Sequence, residues 1–133
     1  MASFSARMEC SSPGPMVKYT VRNQLKNPKF VLTQNVPLLE GEVFQRIMEK
    51  AATEDPRFRF TAYYCGEDLG YQIMTINNLT ADYERDRTWW SFLQAPDTLL
   101  DKGVSYYQPS AGEHLILDFT QGGSIVADDF HGV

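Results

Sequence analysis

The sequence predicts an α+β domain in which one main helix packs on a mixed, mainly antiparallel sheet. Three observations carry that prediction. Apolar and polar residues alternate through several short runs, the period of half-buried strands. One segment alone, Glu42 to Ala52, switches to the helical period. The order runs two strands, a helix, then strand after strand, so helix and strands are segregated rather than interleaved.

The elements follow in order. The first fifteen residues are rich in Ser, Gly and Pro without periodicity, and read as a loose arm. In Val17-Lys18-Tyr19-Thr20-Val21-Arg22 the alternation is strict, and Phe30 to Val36 reads as a second strand after the Asn27-Pro28 turn signal. The short spacing favours a hairpin. Val43, Phe44, Ile47, Met48 and Ala51 then share one helical face, with Glu42, Arg46, Glu49 and Lys50 outward, and Pro56 closes the segment. Phe58, Phe60, Ala62 and Tyr64 are expected on one face of the next strand, with Arg59, Thr61 and Tyr63 on the other. Cys65-Gly66-Glu67-Asp68 turns the chain, and Gly70 to Ile76 returns. Asp82 to Arg87 mixes charge signs and reads as a solvated connection. Thr88 to Leu93, ended by Pro96, is an aromatic strand; Gly103 to Tyr107 reads as a short strand and Leu115 to Phe119 as the last. Gln121 to Val133 has no apolar face and reads as a free tail. The expected core sets Val17, Tyr19, Val21, Phe58, Phe60, Leu115, Leu117 and Phe119 against Val43, Ile47 and Met48.

At 133 residues the chain holds one domain, large enough to fold without metal or disulfide support. The expected division is an arm over 1–15, a domain over 16–121 and a tail over 122–133. With 12 basic and 17 acidic residues the formal charge is -5. Phosphate backbones and anionic membranes attract concentrated positive charge, so neither nucleic acid nor a membrane surface is expected as a partner. No apolar run reaches the length of a membrane span, and the first fifteen residues hold no stretch resembling a signal peptide. The chain reads either as cytosolic or as a mature or engineered form.

The chemistry-bearing motifs are few. There is no phosphate-cradling glycine loop, dinucleotide fingerprint, nucleophile elbow or H-E-x-x-H. The histidines are His114 and His131. Nothing in the sequence places His114 beside Cys65, the pairing a thiolate nucleophile needs. Glu67-Asp68 and Asp128-Asp129 fall in a turn and a tail, where solvation explains acidic pairs better than acid–base work. The reading is therefore a binding protein, not an enzyme. Two cysteines, Cys10 and Cys65, make neither a zinc site nor a disulfide scaffold; they are either two separate thiols or, in a secreted protein, one bridge closing a loop of about fifty residues, worth a few kcal/mol. Asn78-Leu79-Thr80 is a glycosylation sequon. Trp89-Trp90 is the strongest binding feature. Strand alternation points the two rings to opposite faces, one into the core and one toward solvent or ligand, unless both are buried.

Several segments, taken together, resemble the C-terminal β-domain of the cobalamin carriers, the family of transcobalamin, intrinsic factor and haptocorrin. They are Tyr19-Thr20-Val21-Arg22-Asn23-Gln24-Leu25; the helix Val43 to Ala52; Pro56-Arg57-Phe58-Arg59-Phe60; Gly70 to Asn78 with its Thr75-Ile76-Asn77-Asn78 ending; Trp90-Ser91-Phe92-Leu93; Thr98-Leu99-Leu100-Asp101-Lys102-Gly103-Val104; Tyr107-Gln108-Pro109; and the strand His114 to Thr120. The resemblance implies a small β-grasp-like (ubiquitin-like) domain covering one side of a corrin ring, with cobalamin as the bound ligand. It implies ligand contacts from Trp90, Leu100 and the strand Tyr71, Gln72, Ile73, Met74 and Thr75. Trp90 and Leu100 would give apolar contact, and the strand backbone would give N–H and C=O groups to the ligand's amides. It assigns the ligand side to Trp90 and the core to Trp89. It also implies a secreted protein. The family's larger helical barrel has no counterpart in the matched segments. Three alternatives then stand: a corrinoid bound alone, or with a homodimer mate or separate partner chain in place of the helical barrel; a different flat or hydrophobic small-molecule ligand; or a protein-interaction module using the same surface without small-molecule binding.

Overall fold

The computed structural model describes residues 14–122. Cys10, His131 and nearly all of the expected arm and tail lie outside the described residues. Ten elements follow one another: β1 (Met16–Asn23), β2 (Phe30–Pro37), α1 (Phe44–Glu54), β3 (Phe60–Tyr64), β4 (Tyr71–Ile76), β5 (Leu79–Thr80), α2 (Tyr83–Asp86), β6 (Thr88–Gln94), β7 (Thr98–Leu99) and β8 (His114–Gln121). A five-stranded sheet runs in the order β2-β1-β8-β6-β7, and β3-β4-β5 form a second, three-stranded sheet. β1 and β8 are parallel and every other pairing is antiparallel. The mixed, mainly antiparallel α+β architecture is thus as the sequence predicts.

The period-2 pattern places one face of the large sheet under the helix. Val17, Tyr19 and Val21 from β1, Leu115, Leu117 and Phe119 from β8, and Trp90 and Phe92 from β6 meet Phe44, Ile47, Met48 and Ala51 of α1. Of the expected core only Phe60 and Val43 are half-buried rather than buried. Aromatic rings lock the centre: Tyr19 lies edge-on to Phe44 at 5.1 Å, and Phe44 stacks on Phe92 at 4.7 Å. Among the described residues one buried side-chain polar atom has no partner, the Tyr19 hydroxyl, and burial pushes its pKa up. An unmade hydrogen bond on a buried group is a cost of folding, so Tyr19→Phe is expected to raise stability by about 1 kcal/mol in chemical denaturation.

Several elements differ from the sequence expectation, among them the short strand β7 (Thr98–Leu99), which no expected strand covered. The strand expected from Phe58 starts at Phe60, because Pro56–Phe58 forms a 3-10 turn capped by the Asp55 side chain. Phe60 and Ala62 share the half-buried face as expected, with Thr61 and Tyr63 exposed opposite, whereas Tyr64 at the strand end is exposed. The register shift opposite Thr61 and Ala62 adds its extra residue to β4. Asp82 to Arg87 holds the short helix α2, whose Asp82 carboxylate accepts the Arg85 N–H. Asn77 and Asn78, with φ of 52° and 65°, make a tight turn that adds the unforeseen β5. Gly103 to Tyr107 is a turn, not a strand. Its carbonyls are spent on the N-terminus of α1, where Phe44 N–H donates to Tyr107 O at 2.8 Å and Gln45 N–H to Val104 O at 2.9 Å. Val43 provides no side-chain cap, so this turn satisfies the helix donors instead.

Glu42, expected on the helix, precedes it as a staple. Its Oε1 accepts the Leu39 N–H at 2.9 Å and the Lys50 Nζ at 2.7 Å. Partial burial raises the carboxyl's pKa, but these two hydrogen bonds and the charges of Lys50 and Arg46 outweigh it and hold it below the ordinary 4.5. A folded-state value below the unfolded one means stability that is full above 4.5 and lost as pH falls through the depressed value. Glu42→Gln is expected to cost about 1 kcal/mol at neutral pH. In denaturant titrations the gap to wild type should narrow as the pH falls below 4.5 and the Glu42 carboxyl protonates.

Candidate functional site

The hairpin β3–β4 and the turn 103–107 face each other across β6. The hairpin tip closes on itself through Cys65 N–H to Gly70 O at 2.8 Å and Gly70 N–H to Gly66 O at 2.7 Å. Ser105 joins the two sides: its Oγ accepts the Tyr71 N–H at 2.9 Å and donates to Gln45 Oε1 at 3.0 Å. The Tyr106 hydroxyl donates to the carbonyl of Glu67. Between these parts lies a cleft of about 230 Å³, with Cys65, Leu69, Tyr71, Gln72 and Ile73 on the hairpin side and Gly103 and Val104 opposite. Buried Trp90, Phe92 and Leu117 form its floor.

Four of the seven residues singled out by sequence therefore line one cleft: Tyr71, Gln72, Ile73 and Trp90. The other three lie elsewhere. Thr75 stands in the hairpin stem, its hydroxyl bonded to that of Thr80 at 2.8 Å. Leu100 packs on the edge of the core and gives its N–H to Phe92 O at 3.0 Å. Met74 is the extra residue of the β3–β4 register shift, paired with neither Thr61 nor Ala62. It lines a neighbouring groove of about 430 Å³ with Trp89, Asp82 and Tyr83. The strand backbone is only partly available to a ligand, because the Tyr71 N–H is taken by Ser105 and the Met74 carbonyl accepts from Ala81 N–H and Trp90 Nε1–H.

The two tryptophans do point to opposite faces, but with the core assignment reversed. Trp90 is the core ring, 8% exposed, edge-on to Phe119 at 4.9 Å, with its indole N–H on Met74 O at 3.2 Å. Trp89 is half-buried on the far face, its N–H directed to Gly122 O at 3.3 Å. The cause is register. β6 pairs Trp90 with Phe119 and Phe92 with Leu117, so even-numbered β6 residues join the face that α1 covers. Trp90 still borders the cleft, as floor rather than as a free-standing wall.

The rim is aromatic. Tyr71, 39% exposed, packs its ring on Tyr64 at 5.1 Å, and Leu69 and Tyr106 are exposed around the same hairpin and turn, whereas the exposed Tyr63 of the hairpin does not line the cleft. No charged residue lines the cleft. Its polar groups include the Gln72 amide, the Cys65 thiol, the Tyr71 hydroxyl and main chain, while the Trp90 N–H is taken by Met74 O. Cys65 Sγ lies 3.7 Å from Gln72 Oε1, whereas His114 Nε2 sits 2.8 Å from Thr20 Oγ1, so each has its own partner. Among the described residues no group of three or more His, Cys, Asp or Glu could hold a metal ion. Cys65, Leu69, Phe92, Gly103, Val104 and Leu117 line the cleft without being singled out for it by sequence reasoning. A signal for Val104 was present in its apolar character within the segment read as a strand.

Fold and cleft together define a small α+β domain with an uncharged, aromatic-rimmed concavity. No family model matches the chain. It resembles the C-terminal domain of the cobalamin carriers. Over 107 residues it is 36% identical to the cobalamin binding intrinsic factor of Canis lupus familiaris and 35% identical to that of Mus musculus, covering 79% of this chain and 25% of each relative. The chain thus spans about a quarter of the length of the curated relatives it matches. Haptocorrin, solved in complex with Cbi, superposes with a TM-score of 0.70 at 30% identity, over 88% of this chain and 27% of that one. A protein from Ruminococcus gnavus ATCC 29149 shares the fold alone, with a TM-score of 0.60 at 15% identity over 82% of this chain and 99% of its own.

Proposed function

We propose that the chain is a non-enzymatic, extracellular binding domain for a corrinoid, cobalamin or a close analogue, and that the cleft receives part of that ligand. The observation that carries this reading is the convergence of Tyr71, Gln72, Ile73 and Trp90, reached by resemblance to the carriers, on one uncharged cleft. The likeness to intrinsic factor and to haptocorrin supports the ligand class. The order β2-β1-β8-β6, with parallel β1 and β8 at its centre and α1 on one face, supports the β-grasp reading, with β3-β4-β5 as an insertion. Residues 16–121 are its folded unit. Main-chain bonds from Leu38 N–H to Pro15 O and from Gly122 N–H to Arg87 O tie its two ends to the sheet.

Size decides how the ligand would sit. Pockets that enclose a drug-sized molecule run to roughly 300–1,000 Å³. A cleft of about 230 Å³ admits one ring edge or amide side chain, not a macrocycle. The corrin would lie across the rim on Tyr71 and Leu69, and a second surface would complete the enclosure: a second copy of the chain or a separate partner chain. The exposed Tyr63, Tyr64, Leu69 and Tyr106 favour one other reading, a protein-interaction face with aromatic anchors. Native mass spectrometry of protein purified from its own source separates the two. A co-purifying corrinoid, with its red colour, is expected; a stoichiometric polypeptide with no small molecule would replace the corrinoid reading by the second.

A further inference from the structure

We propose that Asn78 is an N-glycosylation site, a property independent of the cleft. Of the five asparagines in the chain, Asn23, Asn27, Asn35, Asn77 and Asn78, only Asn78 has a threonine or serine two positions on, with Leu79 between. The fold puts that tripeptide at a hairpin tip. Asn77 and Asn78 are the two left-handed residues of the β4–β5 turn, and Thr75↔Thr80 and Ile76↔Leu79 close the stem beneath them. Consecutive positive φ values are the geometry of a tight hairpin turn, in which asparagine is among the favoured residues. Asn78 is exposed, and its side-chain amide makes no hydrogen bond among the described residues, so a sugar there displaces no contact of the fold. The threonine hydroxyl, by contrast, is held by Thr75 Oγ1 at 2.8 Å. The position is also remote from the binding surface: Tyr71 is at the opposite end of β4, about 17 Å away along the strand. A bulky glycan at the tip therefore leaves the cleft open.

The transfer requires a lipid-diphosphate-linked oligosaccharide as donor, met on a secretory route such as the extracellular reading assigns. The Asn78 Nδ2–C1 bond forms at the anomeric carbon as the C1–O bond to diphosphate breaks. The lipid diphosphate leaves with the bonding electrons, and the amide loses one proton to the transferring enzyme.

The test is secretion of the full chain from a eukaryotic host behind a cleavable leader, which exposes it to the donor whatever its native route, followed by intact mass with and without peptide:N-glycosidase. The wild-type chain is expected above its polypeptide mass by one oligosaccharide, collapsing on digestion with Asn78 converted to Asp. Asn78→Asp keeps a residue that tolerates the left-handed turn and should secrete at bare mass. Thr80→Ser should keep the oligosaccharide and Thr80→Ala should lose it. Wild type secreted at bare mass, or an oligosaccharide that survives in Asn78→Asp, overturns the proposal. Neither result touches the corrinoid reading, which the purified protein's ligand content decides separately.

Discussion

Gly70→Ala is expected to destabilise the domain by about 2–4 kcal/mol, the sum of a left-handed backbone penalty and an overpacking cost. Gly70 has a φ of +71°, a region that glycine enters freely and alanine does not. Space is lacking as well. A Cβ at this position would lie 2.5 Å from Ser105 Cβ, 2.6 Å from Ser105 Oγ and 3.2 Å from Tyr106 Cε2. Those atoms belong to the turn that satisfies the first donors of α1 and accepts the Tyr71 N–H. Relief of the clash must push the turn from the hairpin, widening the cleft and loosening the helix start together. Gly66, in the same hairpin tip with φ +99°, has nothing within 4 Å of a built Cβ. Gly66→Ala therefore carries the backbone penalty alone, about 1–2 kcal/mol. Denaturant midpoints of the two variants measure the steric part directly. Equal losses would mean that the contact with Ser105 does not constrain the fold.

Trp90→Ala is expected to cost about 3–5 kcal/mol, the range for truncating a buried large aromatic. The ring fills the space between Phe119 and Ile73, floors the cleft and gives its N–H to the Met74 carbonyl, which otherwise keeps only the Ala81 N–H. Trp90→Phe should recover most of the packing while leaving the indole bond unmade. Trp89→Ala, on the half-buried face, should cost far less, with loss of the bond to Gly122 as its main effect. Thermal melting of the three variants should rank Trp90→Ala well below Trp90→Phe and Trp89→Ala. The reverse ranking of the two alanine variants would contradict the observed register of β6.

The strands and the helix were legible because burial on one face leaves a period in the sequence. Val17 to Val21 and Leu115 to Phe119 alternate, and Phe44, Ile47, Met48 and Ala51 recur at helical spacing. What escaped was set by partners distant in sequence. Gly103 to Tyr107 looks like a strand locally, yet its carbonyls are needed by α1 sixty residues earlier in the chain, a demand no local pattern records. Alternation told that Trp89 and Trp90 part company but not which goes inward, since Phe92 and Leu93 are both apolar. The polar Ser91 on the Trp89 face was the available hint. The hairpin side of the cleft came from resemblance, and its place as the extra residue of the register shift explains why Met74 lines a different groove. The opposite wall was missed along with the turn that builds it.

The claim that a corrinoid uses this cleft is tested most directly at Tyr71, which is exposed enough to be truncated without loss of the fold. Cobinamide and cobalamin are titrated into wild type, Tyr71→Ala and, as a control, Tyr63→Ala, whose side chain is 65% exposed and does not line the cleft. Absorbance of the corrin reports binding, and melting temperature confirms the fold of each variant. The predicted result is saturable binding by wild type and Tyr63→Ala, with Tyr71→Ala weaker by about 2 kcal/mol, roughly thirtyfold, at unchanged melting temperature. Absence of saturable binding by wild type, or equal affinity in Tyr71→Ala, would contradict it.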